Sequence, residues 1–384
     1  MRGSGKVLGR VVATVLGIGL LPVAVYVAAQ SNPTARSEDA PPAPQRSATP
    51  PAAQAAPPTL GSPPAAQTTA SPAADAPPAS PLTPAEAKPA TPVPARESAD
   101  AKAGVAPDSL LRAQVLLERA HFSTGEIDGV NGSNTRRAIA AYQRARGLSD
   151  DGTLNAATWT ALNADAAPAT VLYTLSAEDV AGPFAPVPSD MMEKAKLQRL
   201  GYANVTEALA ERFRVAPALL QRWNPGVAFA AGQAIVVPNV LDIDPLAKAA
   251  SVVVDRSESS VALVDAAGKV YAQFPASTGS EHDPLPVGEW KINGVARDPT
   301  FHYNPKLFWD ADPAHAKAKI AAGPNNPVGV VWIDLSKEHY GIHGTPEPSR
   351  IGKTQSHGCI RLTNWSAQEV AAAVAAGTPA RLQE

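Results

Sequence analysis

The chain has 384 residues, 18% of them charged, with a formal net charge of -2; that length exceeds one ordinary domain and suggests two or three if the chain folds throughout. Near-zero charge and no Lys/Arg cluster interleaved with aromatics leave nucleic acid without a basic surface to bind. A lone cysteine, Cys359, excludes an internal disulfide, so stability must come from packed cores.

Met1 to Arg10 carries Arg2, Lys6 and Arg10 with no acidic residue, and an apolar stretch follows from Val11 to Ala29. Val27-Ala28-Ala29 ahead of Gln30 offers the small-residue cleavage site of a signal peptide, so residues 1–29 predict export. The run is also about the roughly 20 residues that cross a bilayer, which makes an uncleaved anchor, with a membrane tether at residues 11–29, the competing reading. Residues 30–105 are rich in Pro, Ala, Ser and Thr: 18 of the chain's 39 prolines lie between Ser31 and Val105, with no Phe, Trp or Tyr. Such a segment buries too little apolar surface to offset its ordering entropy, and a disordered, partly polyproline linker is expected.

Periodic sequence begins near Asp108. Leu110, Leu111, Val115, Leu116 and Leu117 predict a helix that ends at the turn Gly125-Glu126-Ile127-Asp128-Gly129. A second helix is predicted from about Asn134 to Arg146, stopped by Gly147-Leu148, and a third around Thr158-Trp159 and Leu162. Gln114, Ile127-Asp128-Gly129, Thr135, Ala138-Ile139, Tyr142-Gln143, Gly147-Leu148 and Thr158-Trp159 together resemble the three-helix peptidoglycan-binding domain, over residues 106–165. Most of these are core and turn positions, so they identify a domain without locating its ligand site.

Residues 170–241 predict a strand at Tyr173-Thr174-Leu175, a helix from Thr206 to Phe213, a second opening at Pro217, and a strand from Ala234 to Val237. This strand-helix-helix-strand order resembles a degenerate, glycan-binding LysM module of α+β class. Asp179 to Gly201 is an insertion that such modules lack, and bracing of the following domain is as good a reading as glycan binding.

From residue 248 to 384 the texture is mostly β. Strands are predicted at Ser251 to Arg256, Ser260 to Asp265 and Lys269 to Ser277, as an antiparallel meander. Further strands are expected at Trp290 to Val295, Gly329 to Leu335 and Tyr340 to His343, with one helix from Ser366 to Ala376 closed by Gly377.

Within this segment Tyr340-Gly341-Ile342-His343-Gly344-Thr345 precedes Ser356-His357-Gly358-Cys359-Ile360-Arg361-Leu362. A free thiol with a pKa near 8.5 is only a few per cent thiolate at neutral pH, and a neighbouring histidine that takes its proton raises the reactive fraction. His343 and His357 both qualify on residue type. These elements, with Thr278-Gly279, Pro284-Leu285-Pro286-Val287-Gly288, Asn304-Pro305, the Gly323 to Gly329 loop and Trp332, resemble the L,D-transpeptidase family.

That resemblance implies a multidomain protein whose catalytic domain is an L,D-transpeptidase-like β-sandwich. It assigns Cys359 as nucleophile and His343 as base, with the Gly344 carbonyl holding the imidazole. Gly358 and Cys359 amides would form the oxyanion hole, His357 a site wall or a further oxyanion residue, and Ser356 a hydrogen bond within the turn. Arg361 would orient a substrate carboxylate, and Tyr303 and Trp332 would line the groove, although aromatics in such domains are more often core. The implied reaction forms a thioester at the L-centre of diaminopimelate in a tetrapeptide stem, releases D-Ala, and passes the acyl group to an amine. No metal or cofactor is implied; a zinc site of His343, His357 and Cys359 is the rival, but no fourth ligand is evident. The remaining alternatives are an L,D-carboxypeptidase and an inactive wall-binding protein. Peptidoglycan is the expected partner and the periplasm the expected location.

Overall fold

The structure is a computed structural model in which residues 96–384 are described. The expectations for residues 1–95, the signal or anchor and most of the linker, lie outside the described residues.

Residues 96–105, assigned to the linker on composition, belong to the folded protein. Ser98 bridges to Val171, and helix α1 (Asp100–Ala103) follows. The Asp100 carboxylate accepts from the Thr170 amide at 2.6 Å, the Thr170 hydroxyl at 2.7 Å and the Ala169 amide at 3.2 Å. Composition averaged over a Pro/Ala tract is blind to one carboxylate that finds three donors, each bond to an ionised group being among the stronger kind.

Helices α2 (Leu110–Arg119), α3 (Ser133–Ala145) and α4 (Ala156–Leu162) pack around Leu116, Leu117, Phe122, Ile139, Tyr142 and Leu162. Ser109 and Asn155 cap the first and third of these by accepting from the amides of Arg112 and Thr158. Two buried glutamines explain the motif. Gln114 accepts from the Asp128 and Gly129 amides and donates to the Asp128 carboxylate, the Val130 carbonyl and the Thr135 hydroxyl. Gln143 repeats the pattern on the second turn, with Gly152, Asp151, Thr153 and Thr158. Each side chain satisfies the backbone of a tight turn that would otherwise bury unpaired groups.

Strand β1 (Thr170–Thr174), helices α5 (Met191–Lys194), α6 (Val205–Arg212) and α7 (Pro217–Trp223), and strand β2 (Ala234–Pro238) form the next unit, with β1 and β2 antiparallel. Asn224 ends α7 and ties it to β2: it donates to the Leu220 and Val236 carbonyls and accepts the Val236 amide at 2.7 Å. The insertion between β1 and α6 leaves this unit to pack on the next domain. Leu200, fully buried, shares a small core with Tyr303 and Ile320.

The C-terminal domain contains β3 (Ser251–Asp255), β4 (Ser260–Val264), β5 (Val270–Pro275), β6 (Gly288–Arg297), β7 (Phe301–Tyr303), β8 (Ala318–Ile320), β9 (Val331–Leu335), β10 (Gly341–His343), β11 (Ile360–Arg361), helix α8 (Asn364–Ala373) and β12 (Pro379–Gln383). Eight strands run in the order β11-β10-β9-β6-β12-β3-β4-β5, while β7 and β8 form a separate hairpin. The meander β3-β4-β5 is as expected, but the sheet is mixed: β12 is parallel to β3 and β11 to β10. Nor are there two independent sheets. The first residues of β6 pair with β12, a register shift intervenes between Ile292 and Gly294, and the remainder pairs with β9. One long bulged strand thus carries the sheet around its core as a half-barrel. Val254, Leu263, Phe274, Ile333, Ile342, Ile360 and Leu382 fill that core, with α8 across its open side through Ala367, Val370 and Ala371.

Three units meet at Arg214. Its guanidinium bonds Glu118 of α2 at 2.9 Å and also Glu369 of α8, whose carboxylate is 2.9 Å from His121 Nδ1. Burial raises Glu118, against the nearby Arg214 charge; at Glu369 burial is outweighed by His121 and Arg214, which hold it below the usual carboxylate range.

Candidate active site

The register of β10 and β11 sets the site. Ile342 lies opposite Ile360, and His343 opposite Arg361. Both isoleucines are fully buried in the core, so alternation turns His343 and Arg361 to the opposite face, while Cys359 sits in the bend just before β11 with its thiol beside the Gly341 amide and the Arg361 guanidinium.

His343 is 4% exposed, and its Nδ1 is 2.7 Å from the Gly344 carbonyl oxygen. A carbonyl only accepts, so Nδ1 carries the proton and Nε2 is left as an acceptor. The Trp332 ring stacks on the imidazole at 5.5 Å and 18°. This stack needs Gly341: a Cβ there would come within 2.5 Å of the Trp332 ring. Burial, reinforced by the Arg361 charge, pulls His343 down to about 4, so it is neutral at pH 7.

Cys359 is half-buried, and its thiol donates to the His339 carbonyl at 3.7 Å. Burial pushes the thiol up; the Gly341 amide and the Arg361 guanidinium oppose that shift. The free site therefore rests as neutral thiol and neutral imidazole.

The loop around the cysteine is held from three sides. Ser356 donates to the Cys359 carbonyl at 2.5 Å and its amide bonds the Thr278 carbonyl. Ser277 and Arg361 exchange backbone hydrogen bonds at 2.9 and 3.0 Å. Gly358 has φ +91°, and a Cβ would meet the Tyr340 ring at 2.8 Å, so glycine is required by backbone and packing together.

His357 is not beside the sulfur in a strand but in a bend. Its Nδ1 is 3.3 Å from Arg361 Nη2 and its Nε2 2.9 Å from Asp310. The guanidinium can only donate, which leaves the Nε2 proton for Asp310. His357 thereby links the cysteine loop to the β7–β8 segment, where Phe308 and Trp309 also pack on its ring. Asp310 was not anticipated from sequence, because nothing in its local pattern signals a partner 47 residues away.

Of the two aromatics expected along the groove, one lies elsewhere. Tyr303 is only 4% exposed, its hydroxyl 2.9 Å from His315 Nδ1, because the insertion's Leu200 covers it; it is core of the hairpin rather than groove wall. Trp332 stacks on the His343 imidazole, within the site. By contrast Trp309, 61% exposed and stacked on His282 at 4.6 Å, stands open at this end of the site.

The family described as L,D-transpeptidase catalytic domain (YkuD) matches residues 249–382, and the putative peptidoglycan binding domain matches residues 108–162. The chain is 31% identical over 173 residues to the putative L,D-transpeptidase YkuD of Bacillus subtilis, covering 44% of this chain and 88% of that one. It is 33% identical over 175 residues to the protein of the same name from Bacillus licheniformis, covering 45% and 89%. Among solved structures, L,D-transpeptidase 3 from Mycobacterium tuberculosis, with a faropenem-derived adduct, aligns at 20% identity and TM-score 0.30, covering 39% of this chain and 67% of that one.

A half-barrel that carries His343 on β10 and Cys359 just before the adjoining β11, beside a peptidoglycan-binding unit, defines an enzyme acting on peptidoglycan. The chain belongs to the L,D-transpeptidase family, and its catalytic domain serves peptidoglycan cross-linking.

Proposed function

We propose that the protein is a cysteine acyltransferase in which Cys359 is the nucleophile and His343 the general base. The observation that carries this reading is the Nδ1 bond from His343 to the Gly344 carbonyl, which frees Nε2 on a strand paired with Arg361, the residue whose guanidinium lies beside the Cys359 thiol. Cys359 attacks the carbonyl at the L-centre of diaminopimelate in a tetrapeptide stem as His343 takes the thiol proton. The Gly358 and Cys359 amides hold the oxyanion, and the C–N bond to terminal D-Ala breaks as His343 returns the proton to the leaving amine. An amine, most simply the side-chain amine of a second diaminopimelate, then attacks the thioester and restores the thiol. Arg361 bonds His357 in the free enzyme, and it orients the stem carboxylate when substrate displaces that contact.

Acylation is tested by incubating the reduced protein with a carbapenem, the inhibitor class of this family, and weighing it. An adduct that is absent in Cys359→Ala is expected; wild-type protein without an adduct overturns the proposal. A carboxypeptidase shares the thioester but uses water as acceptor, and muropeptide analysis of the products separates the two: cross-linked dimers for transfer, tripeptide stems alone for hydrolysis. The strand-helix-helix-strand unit acts as a LysM-like module, and with the three-helix domain it raises the local concentration of wall substrate by tethering. Residues 1–29 export the protein to the periplasm, as a cleaved signal or as an anchor through residues 11–29.

A further inference from the structure

We infer that Glu211, on helix α6 of the neighbouring unit, is a positioning residue for His343, acting through the side chain of Asn364 and the backbone of Gly344. The inference rests on His343 being the general base, as proposed above. Gly344 is the anchor of that imidazole, and its position is fixed by contact with Asn364. A Cβ on Gly344 would fall 2.1 Å from Asn364 Oδ1, and one on Gly329 would fall 2.0 Å from the same atom and 2.7 Å from the Gly344 carbonyl carbon. Two glycine backbones thus close directly onto one amide oxygen, so a shift of that amide is passed to Gly344.

The Asn364 amide is held with its oxygen inward by what surrounds its nitrogen. Oδ1 accepts the Val330 amide at 3.2 Å, while Nδ2 donates to the Pro324 carbonyl at 3.1 Å and to both oxygens of Glu211 at 3.1 and 3.0 Å. Asn364 is 1% exposed, so no solvent replaces a lost partner. Without the carboxylate only the Pro324 carbonyl and the Val330 amide still hold the side chain, one Nδ2 hydrogen is left buried without an acceptor, and the oxygen that seats Gly329 and Gly344 is held less firmly. Glu211 is itself fixed by the Tyr202 hydroxyl at 2.9 Å. One turn earlier on α6, Glu207 accepts from Asn325 Nδ2 at 2.7 Å, which registers the helix against the loop carrying Pro324. A residue outside the catalytic domain therefore completes the support of its base.

Burial, with the Glu207 charge adding to it and the Asn364 and Tyr202 bonds opposing, raises Glu211 to about 7. The groups around it are Glu207 on its own helix, Tyr202 with Arg199 beside it in the preceding segment, and Asn364 on α8, whose Glu369 is engaged by Arg214. Support for His343 thus changes character across neutral pH, when the carboxyl loses its proton and becomes an acceptor on both oxygens.

The experiment measures acylation of the full chain by imipenem, as maximal rate and half-saturating concentration, from pH 5 to 9, together with thermal melting. Glu211→Leu is expected to lower the maximal rate about 10- to 100-fold, the scale of a small misplacement of a reacting group, with the half-saturating concentration unchanged. Glu211→Gln, which keeps one oxygen for Asn364, is expected to recover most of the rate but to lack the inflection near pH 7 that wild type shows. Arg214→Met, which loosens the same inter-unit contact elsewhere, is the comparison for mere loss of docking. A wild-type rate in Glu211→Leu, an equal loss in Arg214→Met, or an unchanged inflection in Glu211→Gln overturns the inference. Should Glu211→Leu fail to fold, the Glu211→Gln profile decides alone. Failure of wild type to acylate at Cys359 would instead remove the assignment of His343 on which the inference rests.

Discussion

Burial moves the proposed nucleophile and base in opposite directions, Cys359 upward and His343 down to about 4. Both shifts favour the uncharged form, so proton transfer must accompany attack on substrate rather than precede it. Alkylation by iodoacetamide, which reads the thiolate, should therefore rise with pH through a midpoint above the ordinary thiol value of about 8.5; a plateau already reached at pH 7 would show a preformed ion pair. On the acid side, His343 keeps its free Nε2 until the pH approaches about 4, so carbapenem acylation in Glu211→Gln, which lacks the inflection near pH 7, should stay level as pH drops from 7 to 6. Gly341→Ala introduces a methyl 2.5 Å from the Trp332 ring and must displace it from the His343 imidazole. Overpacking of this kind typically destabilises by about 1–3 kcal/mol, and acylation should slow more than melting alone explains. His343, Gly344 and Cys359 stood out in the sequence as candidates because the motif that resembles the family carries particular residue types at a fixed spacing. Asp310 and Asn364 were not, because an aspartate in a loop and an asparagine at a helix start carry no local mark of what they will touch.

Elements were legible where the pattern was strong and local. The meander, the three helices around Gln114 and Gln143, and the helix pair ending at Asn224 all follow from periodicity and turn residues. Missed were β12, β11 and the β7–β8 hairpin. Pro379–Gln383 alternates too briefly to signal a strand, and it is one only because β3 and β6 lie on either side of it. The hairpin holds its place through the insertion: Leu200 fills the space behind Tyr303 and Ile320, and Asp190 lies 2.8 Å from His315 Nε2. Leu200→Ala should destabilise this contact by about 2–5 kcal/mol, the range for a buried leucine. Hydrogen exchange would then quicken in residues 299–322 while the β3-β4-β5 meander keeps its protection; unchanged exchange in the hairpin would show that the insertion does not brace it.

At the scale of the whole molecule, Arg214 joins three units with two carboxylates around one buried guanidinium. Removing it leaves Glu118 without its counter-charge and Glu369 with His121 alone, and breaking a buried pair in this way costs about 3–5 kcal/mol. Arg214→Met should accordingly lower the melting temperature or split the transition, as read by calorimetry. Glu211 adds a pH dependence of opposite hand to the usual carboxylate. Folding raises it to about 7, so the folded protein holds that proton more tightly than the unfolded chain. The stability it contributes is complete below about pH 4.3, and is lost as the pH rises through 7. Wild type should lose melting temperature relative to Glu211→Gln between pH 5 and 8; parallel curves would contradict this. The sequence by itself determined the family, the peptidoglycan-binding unit and the mostly β character of the catalytic domain, and it singled out Cys359, His343 and His357 as candidates, because motif chemistry and hydrophobic period are properties of neighbouring residues. Tertiary structure alone decided that the sheet bends at β6 and that His357 turns to Asp310. It also decided that Arg214 and Glu211 reach from one unit into another. Those outcomes depend on pairings between residues tens to hundreds of positions apart, whose burial and partners exist only once the chain has closed on itself.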